Sequence, residues 1–436
     1  MKQIISILVL MVVLLPSRGV AQSLSELINA ALERNYQISI TKNEAAIASN
    51  NNTMGNAGQL PTVNFNGTYS NSFNNTRQQF ADGSIREGNN ARNVNGNFSV
   101  MARWTLFNGF TVHAKKDQLT YLEELGQQNS RYYIEQTVSD IVTAYYQLVY
   151  ETQLLEHYRQ LLNFSAYRLN IETRRKEIGA GKLINYGQAL VDYQSDSILL
   201  LAQQNVIQTL TIEINRVLNN DLERELIVAD REITLLDLPP KEEFLAAVDQ
   251  RNSLLERQRL QELIAETELR MEKAYRYPKV DLFAGYQYNR TFSEVGFFRS
   301  NQNFGPTAGL TVSFNLYNGG NTTRAIKNTE IYRENTRLSK EQVTVDLHAD
   351  VLSLYYQYLS VRERVELARS NVETINSVYK TAEQQLKEGA INGYEFRLTQ
   401  LTLLNSELTL TRLQFILKSI EINLNRLSGA VLEAYL

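Results

Sequence analysis

Cysteine is absent from all 436 residues. That excludes disulfides, thiol chemistry, and a lipid anchor on an N-terminal cysteine. Histidine is nearly absent too: His113, His157 and His348 are far apart and match no recognised zinc-site spacing. Carboxylates are plentiful, but their helical settings read as solvated faces. Enzymatic chemistry therefore finds no foothold, and no cofactor or metal is expected. Long hydrophobic runs are missing as well. None reaches the roughly 18 residues of a membrane-spanning helix. Neither sign of charge dominates, with 44 basic against 47 acidic residues, so nothing favours a nucleic-acid partner. Only 6 prolines interrupt the chain while 24 tyrosines enrich it, which suggests long helices beside an aromatic-rich sheet.

What is present begins with an address. Lys2 precedes an apolar run from Ile4 to Leu15, then Pro16 and the small-residue stretch Gly19-Val20-Ala21. Residues 1–21 read as a secretory signal peptide.

The dominant pattern lies far downstream. Leu347, Val351, Leu354, Tyr358, Val361, Val365, Ala368, Val372, Ile375, Tyr379, Ala382 and Leu386 recur in alternating steps of four and three. That is the apolar seam of a coiled coil. No proline or glycine intervenes back to about Thr322, so a rod over 322–388, about 100 Å long, is predicted. A second rod is predicted over 111–178, with a seam through Ile134, Val138, Ile141, Tyr145, Leu148, Leu155, Leu162, Ala166 and Leu169.

Two rods imply a repeat, and short motifs recur to match. Leu32-Glu33-Arg34-Asn35 answers to Asp249-Gln250-Arg251-Asn252, and Leu60-Pro61-Thr62-Val63 to Tyr277-Pro278-Lys279-Val280. Leu106-Phe107-Asn108-Gly109 answers to Leu316-Tyr317-Asn318-Gly319, Tyr145-Tyr146-Gln147 to Tyr355-Tyr356-Gln357, and Asn215-Arg216-Val217 to Asn425-Arg426-Leu427. The chain reads as a duplication, 22–230 and 241–436, joined by a linker at 231–240 containing Pro239-Pro240. Each copy reads as short helices, a β-hairpin (about 61–107 and 278–317), a long helix and a return helix (about 184–218 and 394–427).

The hairpins change the period from helical to two. Val63, Phe65, Tyr69 and Phe73 alternate with polar residues, as do Val94, Phe98, Val100, Trp104 and Leu106. The second copy does the same with Val280, Leu282, Ala284, Tyr286 and Tyr288, then Phe304, Ala308, Leu310, Val312, Phe314 and Leu316. Polar segments near 76–93 and 290–303 read as loops. Strands of 10 to 14 residues with one apolar face suit a tilted membrane strand. Four strands cannot close a barrel, and a bilayer tolerates no open sheet edge. Several chains must therefore share one: two copies give eight strands, three give twelve, and counting does not choose.

In its repeated helix–hairpin–helix order, its Leu-Phe-Asn-Gly and Leu-Tyr-Asn-Gly-Gly junctions and its glycine-bearing turns, the chain resembles the TolC-type outer membrane efflux channels over essentially its whole mature length. The resemblance implies a mainly helical fold with membrane β-structure: a homotrimer with a 12-stranded barrel in outer membrane lipid, joined to a 12-helix periplasmic tunnel. It also implies a periplasmic adaptor protein and an inner-membrane pump as partners. The adaptor would meet the helical tips, Gly179, Ala180, Gly181 and Lys182 in one copy and Gly389, Ala390, Ile391, Asn392 and Gly393 in the other. Acidic residues after the second tip often ring the family's constriction, and Glu395 matches that position. Leu398 stands where the family can carry a second acid, so a double acidic ring is not expected. Asp192, in the first return helix, is the other candidate pore residue. Glu395 reads equally as a solvated glutamate at a helix start. The same architecture serves as the duct of a polypeptide secretion system, and a surface stalk without transport is a third reading.

Overall fold

The computed structural model describes residues 22–436, so the expected signal peptide lies outside the described residues. The element order is α1 (Leu24–Arg34), α2 (Tyr36–Asn51), β1 (Thr62–Gln79), β2 (Ile85–Asn108), α3 (Thr111–Glu177) and α4 (Leu183–Val217). It then runs again as α5 (Lys241–Arg251), α6 (Ser253–Ala274), β3 (Lys279–Ser293), β4 (Ser300–Ser313), α7 (Asn321–Glu388) and α8 (Gly393–Leu427), with a short α9 (Val431–Tyr435) at the end. The chain is mostly helical with one small sheet. Two compact units form, one from residues 22–43, 128–256 and 342–436, the other from Glu44–Gln127 and Arg257–Glu341.

In the first unit two apolar clusters repeat the duplication. One gathers Leu27, Ile28 and Ala31 of α1 with Val138, Ile141, Val142 and Tyr145 of α3 and Ile214 of α4. The other gathers Phe244 and Val248 of α5 with Leu347, Val351, Tyr358, Val361 and Val365 of α7 and Leu413, Leu417, Ile420 and Leu424 of α8. The Tyr145 hydroxyl donates to Asp230 Oδ2 at 3.0 Å, and burial pushes its pKa up to about 12.

Every position of the α7 seam from Leu347 to Leu386 is buried or half-buried. The α3 seam departs from expectation after Leu148. Leu155, Leu162, Ala166 and Leu169 are only half-buried; the buried row runs one residue earlier, through Glu151, Leu154, Leu161, Ser165 and Glu172. The cause is polar partnering inside the seam. Gln203 Nε2 donates to the Glu151 carbonyl at 3.0 Å and to its carboxylate at 2.6 Å, so a carboxylate occupies a core position that apolar periodicity cannot signal.

The repeated asparagines have a common task. Asn35 breaks the chain between α1 and α2, accepts from Gln37 and Ile38 N–H through Oδ1, and donates to the Val217 carbonyl at 2.9 Å. Asn252 does the same between α5 and α6, donating to the Leu427 carbonyl at 2.8 Å and accepting from Leu255 N–H. Each fixes a short helix to the end of its return helix.

The second unit holds the sheet, antiparallel and ordered β1-β2-β3-β4. At the hairpin turns its strands extend further than expected, leaving only 80–84 and 294–299 outside them, whereas β4 stops at Ser313, short of the expected Phe314 and Leu316. The polar stretches taken for loops continue the first ribbon, Thr76 to Gln79 pairing Gly88 to Ile85. Pairing satisfies their backbone groups even where neither face is apolar. The turn itself is local chemistry: Asp82 Oδ1 accepts from Ser84 N–H at 2.9 Å, and Gly83 takes the left-handed φ of +84°.

Candidate functional site: the helical tips and the outward strand face

Both long helices end in the same backbone device. Gly179 adopts φ +73°, its N–H bonds the Lys176 carbonyl, and Ala180 N–H bonds the Arg175 carbonyl at 2.9 Å. Gly389 repeats this with φ +77°, bonding the Leu386 carbonyl while Ala390 N–H bonds that of Gln385 at 2.8 Å. These are Schellman stops, which need a residue free to enter the left-handed region. Gly181 is required by space instead: a Cβ there would lie 2.7 Å from Lys176 N.

Beyond the stops the tips differ. α4 starts from Lys182 with no side-chain cap, and Ile178, Leu183 and Ile184 around it are more than 70% exposed. At the second tip Asn392 Oδ1 accepts from Tyr394 and Glu395 N–H at 2.9 and 3.0 Å, while Glu395 Oε2 accepts from Asn392 N–H at 2.9 Å. This reciprocal capping box fixes the Glu395 side chain at the exposed start of α8. Ala390 and Asn392 are exposed, and Ile391 and Gly393 half-buried.

Asp192 is a compensated charge. Its Oδ2 accepts from Arg168 Nη1 at 2.6 Å and its Oδ1 from Gln188 Nε2 at 3.0 Å, with both members of the ion pair about 15% exposed. One turn along α4, Asp196 accepts from Arg397 of α8 at 2.7 Å in a pair that is almost fully buried. Asp196 Oδ2 and Arg397 Nε and Nη1 have no hydrogen-bond partner among the described residues. Sequence reasoning missed both arginines; the Asp196–Arg397 contact joins residues 201 apart, and no local pattern announces it.

The sheet carries the second surface. Register places Val280 and Val312, then Trp104, Leu282 and Leu310, then Val63, Ala102, Ala284 and Ala308, on one face. Phe65, Val100, Tyr286 and Pro306 follow, then Gly67, Phe98, Tyr288 and Phe304. From the Val280 row to the Tyr288 row is about 27 Å of strand. The opposite face carries Thr62, Asn64, Asn66, Thr68, Asn97, Ser99, Gln287 and Asn289. Phe65, Val100, Tyr286, Phe304 and Leu310 are all exposed in the single chain. One uninterrupted apolar face of membrane-band height, backed by one that is mainly polar with Met101 and Phe283 upon it, is the arrangement of strands in a transmembrane barrel.

Residues 245–430 match the sequence profile of the outer membrane efflux protein family. None of the curated proteins compared matches the sequence. Among solved structures the fold is similar to the outer membrane protein VceC of Vibrio cholerae, at TM-score 0.78 and 17% identity over 93% of this chain and 96% of that one. It is also similar to CusC, in which conformational changes accompany folding and transmembrane channel formation, at 0.77 and 15% over 94% and 93%. The CmeC outer membrane channel of Campylobacter jejuni gives 0.76 and 11% over 94% and 86%. The resemblance drawn from the sequence therefore stands: this is the TolC-type channel fold, with the second copy matching the outer membrane efflux protein family. CusC and CmeC are described as forming channels.

Proposed function

We propose that three copies of this chain assemble in the outer membrane into one twelve-stranded barrel continuous with a twelve-helix periplasmic tunnel. The assembly passes substrates from an inner-membrane pump and a periplasmic adaptor to the exterior. The carrying observation is the four-stranded sheet, apolar on one face and unpaired along the outer edges of β1 and β4. Joining β4 of one copy to β1 of the next removes every edge, which hydrocarbon requires. Twelve strands leave a lumen lined by the Asn/Thr/Ser face, whereas eight would fill with side chains. The helices support the same assembly. α4 leaves Ile184, Val191, Ile198 and Ile212 exposed at spacings of seven and fourteen, a seam without a partner among the described residues of its own chain.

The tips are the adaptor-docking surface: Gly179, Ala180, Lys182, Gly389, Ala390 and Asn392 are exposed, with Gly181, Ile391 and Gly393 half-buried between them, and Ile178, Leu183 and Ile184 supply apolar contact. Glu395 lines the constriction, where threefold symmetry brings three carboxylates together and attracts cations. Asp192, neutralised by Arg168, contributes less. Mass measurement of the detergent-solubilised protein tests the assembly: a trimer is expected, and a stable monomer overturns it.

A further inference from the structure

The outward face of the sheet does not end cleanly above its aromatic row. Tyr69, Val94, Gly96, Phe98, Tyr288 and Phe292, with Arg92 and Arg290, line a concavity of about 480 Å³. Register puts all eight on the apolar face: Tyr69 opposes Gly96, which opposes Arg290, while Phe98 opposes Tyr288 and Val94 opposes Phe292. Gly96 makes the hollow. A Cβ there would sit 3.5 Å from Phe98 and 4.0 Å from Tyr69, so its absence leaves a slot floored by backbone and walled by rings.

The two arginines are exposed and form no ion pair with an acid among the described residues. Arg92 Nε donates to the neutral Asn71 Oδ1 at 3.2 Å. Glu294, four residues beyond Arg290, accepts from the Arg92 backbone N–H through Oε2 at 2.8 Å. Arg290 has no acidic partner among the described residues. Resting on the barrel reading above, this hollow sits where the apolar band gives way to headgroups. Unpaired cations there are costly unless an anion completes them, and guanidinium forks match phosphate oxygens. Arg290 pairs across to Gly96 and Arg92 lies four residues further along β2, a separation of about 13 Å along the strand.

We propose that this hollow binds a phosphorylated glycolipid of the outer leaflet, one per chain. Arg290 and Arg92 each take a phosphate of a headgroup phosphorylated at both ends, and an acyl chain lies in the Gly96 slot against Phe98 and Tyr288. A zwitterionic phospholipid offers one phosphate and an ammonium, and fits the pair of arginines less well.

Native mass spectrometry of the purified protein with added bis-phosphorylated lipid A tests this. Up to three lipids per trimer are expected. The double variant Arg92→Gln/Arg290→Gln should lower retention at least tenfold, while Arg103→Gln, on the opposite face, should leave it unchanged. Wild-type protein with dephosphorylated lipid A should lose retention to the same degree, which keeps the test decisive if the double variant fails to assemble. Equal retention of phosphorylated and dephosphorylated lipid A, or of phosphatidylcholine, overturns the site. The same spectrum reads oligomer mass, so a failure of the trimer is seen separately from a failure of the lipid site.

Discussion

The two helical tips come from copies of one unit, yet they are held by different means. Both use a left-handed glycine to stop the outgoing helix. Only the second fixes its return with side chains, through the Asn392–Glu395 capping box; the first begins from uncapped Lys182 and leaves Ile178, Leu183 and Ile184 in the open. A tip with exposed aliphatics is suited to a protein partner, and one with a fixed carboxylate to an electrostatic task. Duplication supplied two equal ends, and their capping chemistry made them unequal.

The sharpest way to break the comparison is to cut what joins the copies. Asp196→Ala strands Arg397 in a nearly dry site, and loss of one partner of a buried pair costs about 3–5 kcal/mol. Chemical denaturation should show it. A loss no larger than that from an exposed pair would mean water reaches the site. Next in size is the strand face. Val100→Arg, on the apolar face, should cost about 2–4 kcal/mol of insertion, while Ser99→Arg, on the polar face, should insert normally in a vesicle folding assay. Equal losses would refute the face assignment.

The tips respond more gently. Gly389→Trp forces a side chain into φ +77°, costing about 1–2 kcal/mol locally, and should abolish export while trimer yield stays normal. Gly181→Trp should do the same; normal export by both would move the adaptor site elsewhere. The smallest stability effect separates the caps: Asn392→Ala should cost about 1 kcal/mol, Lys182→Ala almost nothing. Glu395→Gln should weaken cation selectivity and multivalent-cation block in planar bilayers without altering trimer yield, and Asp192→Asn should do so less. Unchanged selectivity in the Gln variant would leave Glu395 a capping residue alone.

How much of this was legible depended on what each residue packs against. The α7 seam could be read because its buried positions are almost all apolar. The lower half of α3 could not, because Glu151, Ser165 and Glu172 occupy its core row. The hairpins were visible wherever one face was apolar and vanished into apparent loops where both faces turned polar, from Thr76 onward. Gly179 and Gly389 announced the tips, and Asn392 with Glu395 three residues on spelled a capping box of which only the glutamate was read, as a constriction or a helix-start residue. The Asp196–Arg397 and Arg168–Asp192 pairs had no signal to follow, since residues on different helices carry no shared period.

The central claim is that β1 of one copy pairs with β4 of the next. The absence of cysteine makes it directly testable. Single cysteines at Asn64, Asn66 or Thr68 on the polar face of β1 are combined with one at Gly305 or Thr307 on that of β4, and the protein is oxidised in outer membranes. The account predicts that at least one combination yields a covalent trimer that denaturant does not separate, while each single variant runs as monomer. Absence of interchain bonds in every combination, or a ladder continuing past three chains, would contradict it.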